Sequence, residues 1–211
     1  MIEPGHHTQS DPDVVRLKAR EEMAPGVHEL AASAVFVGAL LTIAGAWFFE
    51  LVLGLQPCPL CLTQRIPYYI GVVLAGGTAL VAWSNSSAQR GRPPTPWLEA
   101  RPMLVRTMLA LLAVLFLVSA GLGAYHAGVE WRWWAGPSDC SGQDTSPASV
   151  DDLLGSLDAV RVVACNEAPW TFLGLSLAGW NAVISLALAA VAARGAWTRS
   201  PQTVELAPFH Y

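Results

Sequence analysis

The chain has 211 residues, of which 53% are hydrophobic and 13% charged, with a net charge of -4 and a mean hydropathy of +0.40. That composition excludes an ordinary soluble globule, where about 25% of residues are charged. It allows one compact domain of packed helices but no large soluble module besides. No basic stripe occurs, so no nucleic-acid partner is expected.

Residues 1–29 hold Arg16, Lys18, Arg20 and the pair His6-His7 among Pro, Gly and Asp, and read as a cytoplasmic, mostly disordered tail. The tail is charged and no small-residue cleavage site follows the first apolar run, so that run is not read as a cleaved signal. Four uncharged stretches follow, at 30–49, 66–83, 107–128 and 171–193. About 20 apolar residues cross a hydrocarbon core, so each is long enough to be a span. Small residues such as Gly38, Gly71, Gly123 and Gly179 recur in them, as close packing of membrane helices requires.

Orientation follows from Lys and Arg in the short flanks. Arg16, Lys18, Arg20, Arg90, Arg92, Arg101, Arg106, Arg194 and Arg199 lie on one side, and only Arg65, Arg132 and Arg161 on the other. The expected fold is an all-α membrane protein: a four-transmembrane-helix bundle, N-in/C-in, spanning 30–193 and followed by a cytoplasmic tail at 194–211. The outward loops are then 50–65 and 129–170, and all four cysteines lie in them, in an oxidising compartment.

The first outward loop carries Cys58-Pro59-Leu60-Cys61. Proline favours the first position of a helix, so Cys58 reads as an N-cap and Cys61 falls in the first turn. The positive end of the helix dipole favours a thiolate at Cys61. Arg65, four residues on, shares that face and is expected to direct its guanidinium toward Cys61. Near the outer end of the third span, Tyr125-His126 places an imidazole at the same depth. A cation, a thiolate and an imidazole would then meet around a polar ligand head, and ionisable groups within spans are functional hypotheses by default.

The second outward loop opens with Trp131, Trp133 and Trp134, which suit the membrane interface. Cys140 follows in the turn-rich Gly136-Pro137-Ser138-Asp139-Cys140. Val150, Leu153, Leu154, Leu157 and Val160 then recur at helical spacing, predicting a short amphipathic helix on the outer membrane surface. That helix would hold Cys140 and Cys165 near the mouth of the bundle.

Four cysteines allow three pairings. Proximity favours Cys58 with Cys61 and Cys140 with Cys165, while a Cys58–Cys165 bond between the loops stays open. No metal is expected, because zinc normally takes two close pairs or interleaved histidines. A thiol relay fits better: one pair exchanges with an outside dithiol and passes two electrons to the other. With no CxxCH haem motif and no nucleotide motif, a lipid-soluble quinone is the natural acceptor.

These residues resemble the bacterial disulfide-bond-formation protein B (DsbB) family of quinone-linked membrane thiol oxidases. The resemblance rests on Trp47-Phe48, Pro57-Cys58-Pro59-Leu60-Cys61 with Arg65, Tyr125-His126, Cys140, Cys165-Asn166-Glu167-Ala168-Pro169-Trp170, and Phe172-Leu173-Gly174-Leu175 leading to Trp180. It implies an inner-membrane enzyme whose catalytic residues are Cys58, Cys61, Cys140 and Cys165. Cys140 would be attacked by a periplasmic DsbA-like thioredoxin-fold oxidase, and Cys165 would pass electrons to Cys58. Cys61 would reduce ubiquinone or menaquinone, with Arg65 and His126 holding the quinone oxygens. Two other readings remain: an enzyme of the vitamin K epoxide reductase type, whose shuttle cysteines would precede the CxxC, and a disulfide-stapled scaffold without turnover.

Overall fold

The computed structural model describes residues 26–89, 102–137 and 164–198. Four long helices account for most of them: α1 Val27–Leu51, α2 Pro59–Gln89, α3 Pro102–Glu130 and α4 Leu177–Trp197. All four are long and apolar enough to cross a membrane. Two short strands, β1 Thr171–Phe172 and β2 Leu175–Ser176, pair antiparallel just before α4. Of the sequence expectations, most of the N-terminal tail, Cys140, the amphipathic helix built on Val150–Val160 and most of the C-terminal tail lie outside the described residues.

The starts of the second and fourth spans differ most from expectation. The second helix starts at Pro59 rather than 66, so Gln64 and Arg65 are helical. The reason is capping: the Cys58 carbonyl accepts the Leu62 N–H at 3.1 Å, and Cys58 Sγ accepts the otherwise orphan Cys61 N–H at 3.2 Å. The last helix starts at Leu177 rather than 171. Leu173 (φ 52°) and Gly174 (φ 79°) both take left-handed backbone, forming a two-residue hairpin turn that cannot continue a helix. Ser176 then caps α4 by accepting the Gly179 N–H at 3.1 Å.

The bundle carries apolar side chains on its outer face as well as in its centre. Val73 is 74% exposed, while Ser119 and Ser185 are fully buried. Val35, Leu109, Leu112 and Phe116 fill the centre. Glycine permits the closest approaches: a Cβ on Gly123 would sit 2.7 Å from the Ala182 backbone nitrogen on α4. His28 Nδ1 lies 2.9 Å from the Gly195 carbonyl oxygen and Arg106 Nε donates to Ala196, so the start of α1, the start of α3 and the end of α4 share one end of the bundle. Cys58, His126 and Cys165 gather at the other end.

Candidate functional site

The thiol centre forms where α2 begins and α3 ends. Helix α3 stops in a turn in which Trp133 N–H bonds to Gly128 and Arg132 adopts φ 61°, fixing the last turn that carries His126 and Glu130. Cys58 is 3% exposed, His126 2% and Cys165 1%, with Val129 sealing the cluster. Cys58 and Cys61 are free thiols with their sulfurs 3.0 Å apart. Cys165 is disulfide-bonded.

Around a Cys58 thiolate three groups serve as donors to Sγ: the Cys61 thiol 3.0 Å away, the Cys61 N–H at 3.2 Å, and the His126 ring from Nε2 at 3.7 Å. Led by the bond from the Cys61 thiol, these donors outweigh burial and lower the Cys58 thiol from 9.0 to about 4. In the dithiol the negative charge therefore sits on Cys58, whereas the helix-dipole argument places it on Cys61. The N-cap sulfur is the one that the first-turn donors reach. The sulfurs of Cys58 and Cys165 and a ring nitrogen of His126 all lie within 4.8 Å of one another. A disulfide sulfur is no thiolate and makes a poor metal ligand. The same spacing puts the Cys58 and Cys165 sulfurs next to each other.

Beside the centre lies a cavity of about 520 Å³. Cys61, Arg65, His126 and Gln64 form its polar end, and apolar side chains such as Leu41 and Ile184 line the rest. Trp170 and Phe172, stacked at 5.8 Å, border it from the hairpin, and Trp170 packs on Phe49 of α1. Arg65 does not run along α2 to Cys61. Its guanidinium crosses to α1, bonding Glu50 at 2.5 Å and the Ala46 carbonyl at 3.5 Å, over the Trp47 ring.

The family model for "Disulfide bond formation protein DsbB" matches residues 28–194. The chain belongs to the DsbB family. Among curated relatives, Disulfide bond formation protein B of Saccharophagus degradans is 33% identical over 74% of this chain and 86% of its own length. That of Hahella chejuensis is 33% identical over 77% and 91%, and that of Marinobacter nauticus 31% over 71% and 80%. No solved structure matches the chain.

This DsbB-family protein brings together Cys58, Cys61, Cys165 and His126, with Arg65 on the same cavity. Cys140 lies outside the described residues. Several site residues escape a reading of the sequence. Glu50 appears there only as the end of a span, yet it partners Arg65. Glu130 lies 4.0 Å from His126 Nε2, and its Oε2 has no hydrogen-bond partner among the described residues. Gln64 donates to His126 Nδ1 at 2.6 Å. Their signal is polarity next to a span at helical spacing from a cysteine or histidine: Glu130 is His126 plus four, and Gln64 is Cys61 plus three.

Proposed function

We propose that this DsbB-family membrane protein is a thiol:quinone oxidoreductase. It reoxidises a periplasmic DsbA-like thioredoxin-fold dithiol and delivers the two electrons to a membrane quinone. The observation that carries this reading is the contact between the free Cys58–Cys61 pair and the disulfide-bonded Cys165, within 4.8 Å. Such an arrangement supports two-electron exchange between one disulfide and one dithiol at a single point.

The proposed sequence begins at Cys140. A partner thiolate attacks Cys140 and the bond to Cys165 breaks, leaving Cys165 as a thiolate and Cys140 in a mixed disulfide. Cys165 attacks Cys58, and the Cys58–Cys61 bond breaks with its electron pair on Cys61. The second partner thiolate attacks its own mixed-disulfide sulfur and releases Cys140, which attacks Cys165 and frees Cys58. One disulfide has then been made in the partner, and the Cys58–Cys61 pair is a dithiol.

The cavity fits a quinone on its own chemistry: hydrogen-bonding and cationic groups at one end and apolar walls suited to an isoprenoid chain. Arg65, held by Glu50, would orient the head at that end beside Cys61, with the His126 ring forming part of the wall. When bound there, a quinone takes up the two electrons and two protons given up as the dithiol closes to a disulfide. Ubiquinone and menaquinone offer the same head oxygens to these residues. The charge asymmetry of the flanks supports both termini in the cytoplasm and the thiol centre at the periplasmic face of the inner membrane.

Removing one sulfur tests the relay. In Cys61→Ser, Cys58 can pair only across the loops, so peptide mapping should find a Cys58–Cys165 disulfide. A variant in which Cys58 stays free while Cys165 keeps its other partner would overturn the reading.

A further inference from the structure

Electron transfer leaves one buried polar group unexplained. Gln64 and Tyr68 lie one turn apart on α2, and Asn181 and Ser185 one turn apart on α4, within predominantly apolar helices. Tyr68 Oη donates to Asn181 Oδ1 at 2.6 Å. Asn181 Nδ2 donates to Gln64 Oε1 at 2.6 Å, and Gln64 Nε2 donates to His126 Nδ1 at 2.6 Å. Ser185 Oγ lies 2.7 Å from Tyr68 Oη and 2.9 Å from Ser119 Oγ of α3.

The far end of this chain defines its direction. A ring nitrogen that accepts a hydrogen bond carries no proton, so neutral His126 holds its hydrogen on Nε2. Nε2 is the atom 3.7 Å from Cys58 Sγ. As a thiolate that sulfur also accepts from the Cys61 N–H and from the Cys61 thiol, so its hydrogen-bonding neighbours all donate to it. Each bond from Tyr68 onward therefore donates toward Cys58, and serial donors polarise one another in a low-dielectric interior.

We propose that Tyr68, Asn181 and Gln64 are positioning residues of the thiol centre, forming a directed hydrogen-bond chain that locks His126 as an Nε2–H donor aimed at Cys58. The proposal rests on the reading of Cys58 as an exchanging sulfur. Its chemical consequence falls on the step that frees Cys58. When Cys140 attacks Cys165, a Cys140–Cys165 bond forms and the Cys58–Cys165 bond breaks, and Cys58 departs with the electron pair as a thiolate. A leaving sulfur that meets a fixed donor leaves faster.

Other charged or titratable groups face Cys58 too. Cys61 does so from α2 and Glu130, beside His126, from α3; the loop contributes Cys165, which is disulfide-bonded and does not titrate. The hydrogen bonds of Tyr68 and Asn181 run instead to each other, to Gln64 and to Ser185. If the chain only held helices together, its loss would lower thermal stability and leave the sulfur alone.

The test titrates the Cys58 thiolate by ultraviolet absorbance in the reduced, full-length protein, with Cys58→Ser as the blank. Wild type should show a midpoint near 4. Tyr68→Phe keeps the ring packed edge-on against Phe116 at 5.5 Å, and Asn181→Leu removes the donor to Gln64. Both should raise the midpoint, by up to about one pH unit, the scale of losing the His126 donor altogether. Ser185→Ala, which leaves the directed bonds intact, should not move it. Wild-type midpoints in Tyr68→Phe and Asn181→Leu, with melting temperature alone lowered, would overturn the proposal. The titration needs neither quinone nor partner protein, so failure of the oxidoreductase reading would appear separately, as no quinone-linked turnover in wild type while the variants still show raised midpoints.

Discussion

Cys58 is the residue whose surroundings have the clearest chemical consequence. Its thiol is lowered from 9.0 to about 4, chiefly by the bond from Cys61. Because the folded value is depressed, the thiolate stabilises the folded dithiol fully above 9, the unfolded value. That contribution fades as pH falls through the folded value near 4. A stabilised dithiol makes the Cys58–Cys61 pair a stronger oxidant, so its reduction potential should be raised at neutral pH and drop toward that of an unperturbed CxxC below pH 4. Equilibration with glutathione buffers across that range would measure it; a flat difference would contradict the assignment of charge to Cys58. Arg65 has a different task. Because it lines the cavity and bonds to α1 rather than to a sulfur, Arg65→Ala should slow quinone reduction at least tenfold, a loss of about 1.4 kcal/mol. Exchange at Cys140 should be nearly unchanged, and equal losses in both steps would remove Arg65 from the quinone end.

At the scale of elements, the approach of α3 to α4 places His126. Gly123 lies one turn before it, and a Cβ there would press on the Ala182 nitrogen at 2.7 Å and the Ala178 carbonyl at 3.1 Å. Backbone cannot yield as a side-chain tip can, so Gly123→Ala should destabilise the bundle by about 1–3 kcal/mol. Thermal unfolding in detergent would read it, and an unchanged midpoint would mean the helices have room to spare. The spans were legible from hydropathy because each helix needs a run of lipid-compatible residues. Their ends were not. Arg65 looks like a boundary when charges are taken to stop a span, but the Cys58 cap starts the helix six residues earlier. Phe172-Leu173-Gly174-Leu175 is apolar enough to read as membrane helix, and only the two left-handed residues reveal a hairpin.

For the whole molecule, the sequence showed which chemistry is present better than how it is wired. CxxC, Arg65, His126 and the later cysteines announce themselves as reactive types at telling spacings. Gln64, Tyr68, Asn181 and Ser185 do not, because a single polar residue in a span has many uses and only the packed bundle joins these four in a line. Glu50 was equally hidden, since nothing in the sequence pairs it with Arg65 fifteen positions away. At this scale, Cys140→Ser should abolish oxidation of a reduced thioredoxin-fold partner while leaving Cys58 and Cys61 able to react with added thiols. Full turnover in that variant would mean that electrons enter elsewhere.

The most direct measurement is quinone reduction by the purified protein, supplied with a reduced thioredoxin-fold oxidase, for wild type beside Cys61→Ser. The account predicts steady turnover in wild type with ubiquinone or menaquinone and none in the variant. Turnover that survives loss of Cys61, or a wild-type protein that exchanges disulfides yet reduces neither quinone, would contradict it.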